Sequence, residues 1–169
     1  MHGPAGGRGK WGQAGVPKKG WSCVNIEDLG EPSTKCEMCE VMDIRYVHYM
    51  ENDRYPDNLA CGAICAGHME ENLALAEERD RSMKSNAGKR KRFPGLRAWR
   101  LSQNGNPTLK DGIFTVTVFK KGKYWKASVN NRSTDKVRYT RDIFETKEDA
   151  QRAAFDTLEL VKKRHRERS

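Results

Sequence analysis

The sequence predicts an α+β protein in two parts: a small cysteine-bearing unit with its own helix, then a three-stranded antiparallel sheet packed on one C-terminal helix. Three observations carry this reading. All five cysteines, Cys23, Cys36, Cys39, Cys61 and Cys65, fall in the first half of the 169 residues. Residues 113–143 hold three strand-length runs separated by turn residues. A threonine-led segment with apolar residues at helical spacing follows them.

Residues 1–20 carry seven glycines and two prolines, with too little apolar material to order themselves, and predict a flexible tail. Residues 21–82 form the cysteine unit. Within it, Val24 and Ile26 suggest a short strand, and Ile44 to Met50 a second one with aromatic and β-branched content. Glu51 to Asn58, interrupted by Pro56, reads as a polar loop. Ala66, Met69, Leu73 and Ala76 recur at helical spacing, predicting one helix over 63–82 with a Glu-rich polar face. Residues 83–110, with Lys89-Arg90-Lys91-Arg92 and an Asn-Gly-Asn-Pro turn, read as a basic linker.

The last part, 111–165, predicts strands at Ile113–Phe119, Tyr124–Val129 and Val137–Ile143, the first two joined around Gly122. Thr146, with Asp149 three residues on, predicts a helix N-terminus, and Ala150, Ala154, Leu158 and Val161 form its buried stripe. A helix on one side of the sheet would cover Phe114, Val116, Val118, Trp125, Ala127, Val129, Val137 and Tyr139. It would leave Thr115, Thr117, Lys126, Ser128, Arg138 and Thr140 on the open face. A single bulge would exchange the two sets.

The cysteine pattern points to a metal. An odd number of cysteines in a chain without a secretory pattern argues against a disulfide framework and for thiolate ligands in a reducing compartment. Cys36 and Cys39, two residues apart, place both sulfurs on one ion from a single turn; Cys61 and Cys65 supply a second pair 22 residues later. The expected ligands of a structural Zn2+ are therefore Cys36, Cys39, Cys61 and Cys65, with His48, His68 and Cys23 in reserve. Four thiolates would fill a tetrahedral sphere and leave no position for catalysis. No His-Glu-x-x-His occurs either, and a non-enzymatic role is expected. Roughly over residues 33–80, this stretch resembles the treble-clef zinc fingers: a two-cysteine knuckle, a hairpin, and a helix whose first turn completes the site. The resemblance implies a zinc-stabilised finger with Cys36 and Cys39 as the knuckle pair and Cys61 and Cys65 as the helix pair. Its departure is the three-residue spacing of the second pair.

Charge separates the halves. Residues 1–80 hold 8 Lys/Arg and 14 Asp/Glu, whereas residues 81–169 hold 24 and 9, within a net charge of +9. A polyanion is attracted to the second half and not to the first. The expected contacts are Lys89, Arg90, Lys91 and Arg92 for phosphates, and Lys123, Lys126, Arg138 and Arg141 from the sheet. The alternative for the Lys89–Arg92 run is a solvated linker. Three strands and a helix over about 110–161 resemble the small DNA-binding domains of ethylene-response transcription factors, phage integrase arms and some homing nucleases. That resemblance implies an open sheet face in the DNA major groove. The ending is also similar to the double-stranded-RNA-binding domain. Lys147 matches that family's first helix lysine, but Glu148 and Gln151 stand where further lysines belong. Double-stranded nucleic acid is thus the expected partner, DNA before RNA, and the rival class is a protein adaptor working through the acidic helix 63–82. No run is long and apolar enough to span a membrane, so an intracellular protein, cytoplasmic or in the nucleoid or nucleus, is expected.

Overall fold

In the computed structural model, which describes residues 4–169, the chain is α+β and divides into two compact units, Met1–Ala87 and Gly88–Ser169. The first unit contains β1 (Ser22–Asp28), β2 (Thr34–Lys35), β3 (Asp43–Ile44), β4 (Tyr46–Asn52), β5 (Tyr55–Cys61) and α1 (Ala63–Met69). Helix α2 (Leu73–Arg92) begins there and runs past the division. The second unit contains β6 (Arg100–Leu101), β7 (Pro107–Asp111), β8 (Phe114–Lys121), β9 (Tyr124–Asn131), β10 (Lys136–Tyr139) and α3 (Lys147–Glu167). No helix among the described residues is long and apolar enough to cross a membrane.

The first unit has an antiparallel sheet in the order β1-β4-β5 and a small β2-β3 ribbon. Pro56 does not break β5 into a loop, because β5 is an edge strand and a missing N–H is tolerated there. The helix expected over 63–82 is two helices. Glu71 takes a positive φ of 57°, and the Asn72 side chain accepts the Leu75 N–H at 3.1 Å to start α2. The two helices meet at Gly67, where a Cβ would sit 2.7 Å from the Leu73 Cα. Helix α2 continues to Arg92, so residues 83–92 are helical and not part of a linker. Straight-chain Lys and Arg favour the helix, and it ends before Pro94.

Residues 4–20 differ most from expectation. They are packed onto the unit as part of its structure. Trp11, Val16 and Trp21 are buried with Met38, Val47, Met50, Leu59 and Met69 in one core. The Lys10 N–H donates to the Met38 carbonyl at 2.8 Å, and the Trp21 indole N–H to the Pro17 carbonyl at 2.8 Å. Glycines here let the backbone approach closely: a Cβ on Gly9, whose φ is +61°, would lie 2.6 Å from the Cys39 carbonyl oxygen.

The second unit holds a five-stranded antiparallel sheet in the order β10-β9-β8-β7-β6, two strands more than expected. Leu109 of β7 pairs with Val116, extending the sheet into what reads locally as linker. Helix α3 covers one face, burying Ala150, Ala154, Phe155 and Leu158 against Leu109, Val116, Val118, Ala127 and Val129. Its N-terminus is capped by Thr146, whose Oγ1 accepts the Asp149 N–H at 3.1 Å. Strand β10 is placed one residue out of the expected phase. Arg138 pairs with the inward-facing Val129, and Tyr139 with the outward-facing Ser128. Thr140, expected outside, is buried, with its hydroxyl accepting the Ala127 N–H at 3.2 Å and donating to the Asp142 carbonyl at 3.2 Å.

Candidate metal centre and basic sheet face

Three cysteines converge in the first unit. Cys36 and Cys39 occupy the turn between β2 and β3, and Cys65 lies in the first turn of α1. The turn is held by the Cys36 N–H donating to Met42 O and the Glu40 N–H donating to Cys36 O, both at 2.8 Å, with Glu40 at a positive φ of 61°. The sulfurs of Cys36, Cys39 and Cys65 lie within 4.8 Å of one another, and all three residues are buried. Zinc–thiolate bonds of about 2.3 Å in a tetrahedron place sulfurs about 3.8 Å apart. A separation of that order lets the three sulfurs reach one ion, and soft donors suit zinc.

Cys61 ends β5 beside this group. Its S–H donates to the Met69 Sδ at 3.6 Å, and its sulfur is not one of the three that lie within 4.8 Å of one another. The neighbouring Cys61 and Cys65 thiols drive the Cys36 thiol towards the thiolate. The Cys36 sulfur beside them, reinforced by burial, pushes the Cys61 and Cys65 thiols up. Thiolates this close together repel one another, and a divalent ion would let several of them ionise together. Cys65 has a further partner: the Trp11 indole N–H donates to its Sγ at 3.3 Å and favours its thiolate. A pocket of about 300 Å³ opens against Cys36, Cys39 and Cys65, with Tyr46, Asp80 and Lys84 on its wall.

The reserve ligands lie elsewhere. His68 is on the exposed face of α1. Cys23, on β1, donates to Asn25 O at 3.4 Å, and its thiol is pushed up by burial. His48 is fully buried on β4, and its Nδ1 accepts from Arg79 Nε at 3.3 Å. Arg79 in turn bonds Glu70, through Nη1 at 3.2 Å and through Nη2. The His48 Nε2 lies 3.8 Å from an Asp80 oxygen and has no hydrogen-bond partner. Burial, with the adjacent Arg79 cation, lowers the pKa of this imidazole. His48 thus belongs to a polar network on α2. Trp11 was not legible as part of the site, since a glycine-rich context hides an aromatic anchor; Trp11, Val16 and Trp21 were the available signal.

The open face of the second sheet can be followed rung by rung. Arg100, Thr108, Thr117, Ser128 and Tyr139 form one row across five strands. Lys110, Thr115, Asn130 and Val137 form the next, then Phe119 with Lys126, and Lys121 with Tyr124. Among these facing strand residues there are four cations and no carboxylate. The Phe119 and Tyr139 rings stand edge to face, with centroids 6.3 Å apart. Of the residues expected on this face, Lys126 is present, while Arg138 points to the helix-bearing side. Lys123 is in the β8–β9 turn over the Tyr124 ring at 5.1 Å, and Arg141 is exposed after β10. Lys89, Arg90, Lys91 and Arg92 make the last turn of α2, where cations suit the helix dipole; Arg90 pairs with Asp156 at 3.0 Å.

In comparisons with known proteins, no family model, no curated protein and no solved structure matches this chain. The chemistry is therefore argued from geometry alone. What stands is a three-cysteine cluster able to hold a metal ion in an α+β chain.

Proposed function

We propose that this chain is a non-enzymatic, zinc-stabilised protein that holds duplex DNA on the open face of its five-stranded sheet. The carrying observation is that face: Arg100, Lys110, Lys121 and Lys126, interleaved with hydroxyls and aromatic rings and with no carboxylate among them. A phosphate backbone rewards cations gathered on one side, and hydroxyls, Asn130 and rings give the remaining contacts to sugar and base edges. A sheet surface suits the wide major groove of B-DNA better than the deep, narrow groove of duplex RNA.

The metal in this reading is structural zinc with Cys61 completing the cysteine set, in a treble-clef-like arrangement. The β2–β3 turn gives Cys36 and Cys39, the β4–β5 hairpin ends on Cys61, and α1 gives Cys65. Full occupancy is tested by metal analysis of the purified chain, expected at one zinc per molecule.

The nucleic-acid reading is tested by fluorescence anisotropy with a labelled duplex between 50 and 200 mM salt (about the range over which such contacts respond). Log affinity should fall against log salt with a slope of about −3.6 if the four face cations each neutralise one phosphate. Lys126→Gln should reduce that slope by about one. Duplex RNA of equal length should bind more weakly. A flat salt response, or no binding at the lowest salt, refutes the proposal. Tighter RNA binding replaces DNA with RNA as the partner.

A further inference from the structure

Arg138, displaced from the open face by the phase of β10, lines a second basic feature. Behind that strand, on the helix-bearing side of the sheet, a groove of about 450 Å³ lies between β10 and the end of α3. Two elements bring cations into it. Lys136 and Arg138 are two apart on a strand and share one face; Arg164 in the last turn of α3 and Arg168, its C-cap four residues on, line the groove with Val161. His165 completes the wall, its ring set edge-on against Phe114 at 5.9 Å between centroids.

No aspartate or glutamate lines the groove. Among the described residues Lys136, Arg138, Arg164 and Arg168 make no ion pair, while Arg90, Arg152 and Lys162 of the same unit each have a carboxylate partner. Cations in the last turn of a helix are favoured by its dipole, which explains Arg164 but not Lys136 and Arg138 on the facing strand. Like charges gathered at a helix end repel, and Lys136 and Arg138 on the same face of the facing strand add to the repulsion. A multiply charged anion between the two elements removes that repulsion. Three guanidinium groups can each grip two phosphate oxygens in parallel.

We propose that this groove is an oligophosphate site, taking a run of two or more linked phosphates. A duplex lying on the open face is on the other side of the sheet, so the site does not depend on that reading. The phosphates come either from a free oligophosphate, such as a nucleotide tail, or from a nucleic-acid backbone segment.

Calorimetric titration of the full chain with inorganic tripolyphosphate at low salt tests it. Arg138→Gln with Arg164→Gln should weaken tripolyphosphate binding by at least about tenfold, the loss expected for a charge-assisted hydrogen bond. Lys126→Gln on the open face should change it by less than about twofold. Both substituted arginines are exposed, and unchanged circular dichroism would show that the fold survives. The melting temperature of the parent chain should rise with tripolyphosphate, and that of the double variant should not. Displacement of tripolyphosphate by duplex or single-stranded DNA would identify the backbone as the source; no displacement would identify the free compound. Absence of binding by the parent chain, or equal losses in Lys126→Gln and in the arginine variant, would overturn the proposal.

Discussion

Replacing Trp11 with phenylalanine would isolate the indole N–H that reaches the Cys65 sulfur at 3.3 Å. The ring is buried, only 7 % exposed, and phenylalanine retains much of its packing against the core. What is lost is a hydrogen bond to a sulfur that carries charge once a metal is bound. Hydrogen bonds to charged groups contribute about 1.5–3 kcal/mol, which converts to roughly 10- to 100-fold in zinc affinity. Groups that orient metal ligands have effects of the same size. Chelator competition would read the affinity. Cobalt substitution would read the sulfur itself: withdrawing a hydrogen bond raises the energy of the thiolate lone pair, so the sulfur-to-cobalt charge-transfer band should move to longer wavelength. Val16→Ala, which loosens the same buried segment without touching a sulfur, serves as the packing control and should leave the band in place. An unchanged band with unchanged chelator competition in Trp11→Phe would refute the argument that residues 4–20 help build the metal centre.

Cys36→Ala should unfold the first unit and leave the second intact, because the two buried cores share no residue; two transitions in a thermal melt of the parent chain, with the first missing in the variant, would show it. Gly67→Ala forces a methyl against the Leu73 backbone at 2.7 Å and should destabilise the first unit by about 1–3 kcal/mol in urea denaturation. The His48 imidazole, lowered from 6.5 by burial and Arg79, should remain neutral in nitrogen-15 spectra at pH values where an exposed histidine is already charged. The unfolded chain takes up that proton first, so this contribution to stability is present above about pH 6.5 and is lost as the pH falls through and below it. A His48 imidazole already charged at those pH values would sink that account.

The parts of this fold written in short-range patterns were legible. Cys36 and Cys39 announce a metal turn by spacing alone, β8 and β9 alternate cleanly, and Thr146 with Asp149 marks the start of α3. The missed parts depend on partners far away in the chain. Strand β5 contains Pro56 and becomes a strand only because β4 supplies a neighbour on one side. Strand β7 borrows its order from β8. Trp11 is fixed by a sulfur 54 positions later. The phase of β10 was illegible because all four of its residues are exposed, so no burial pattern marks its register. That one-residue difference moved Arg138 from the expected DNA-facing surface to the groove beside α3.

The borders of the two main sheets have a bearing on self-association. An unpaired strand edge is a template on which another copy can add strands, and growth from such edges leads to aggregates. Here each border carries a deterrent. Strand β5 has Pro56, which offers no N–H, and β1 ends on Glu27 and Asp28. Strand β6 is two residues long, and β10 is four residues long with Lys136 and Arg138. Two of these deterrents are electrical and two are steric or a matter of length, so they fail under different conditions. Concentrated salt weakens the repulsion at β1 and β10, whereas the proline and the short strand are indifferent to it. Raising the salt therefore removes the bar to joining two β10 borders or two β1 borders, whereas the acidic β1 border of one copy and the basic β10 border of another attract most at low salt.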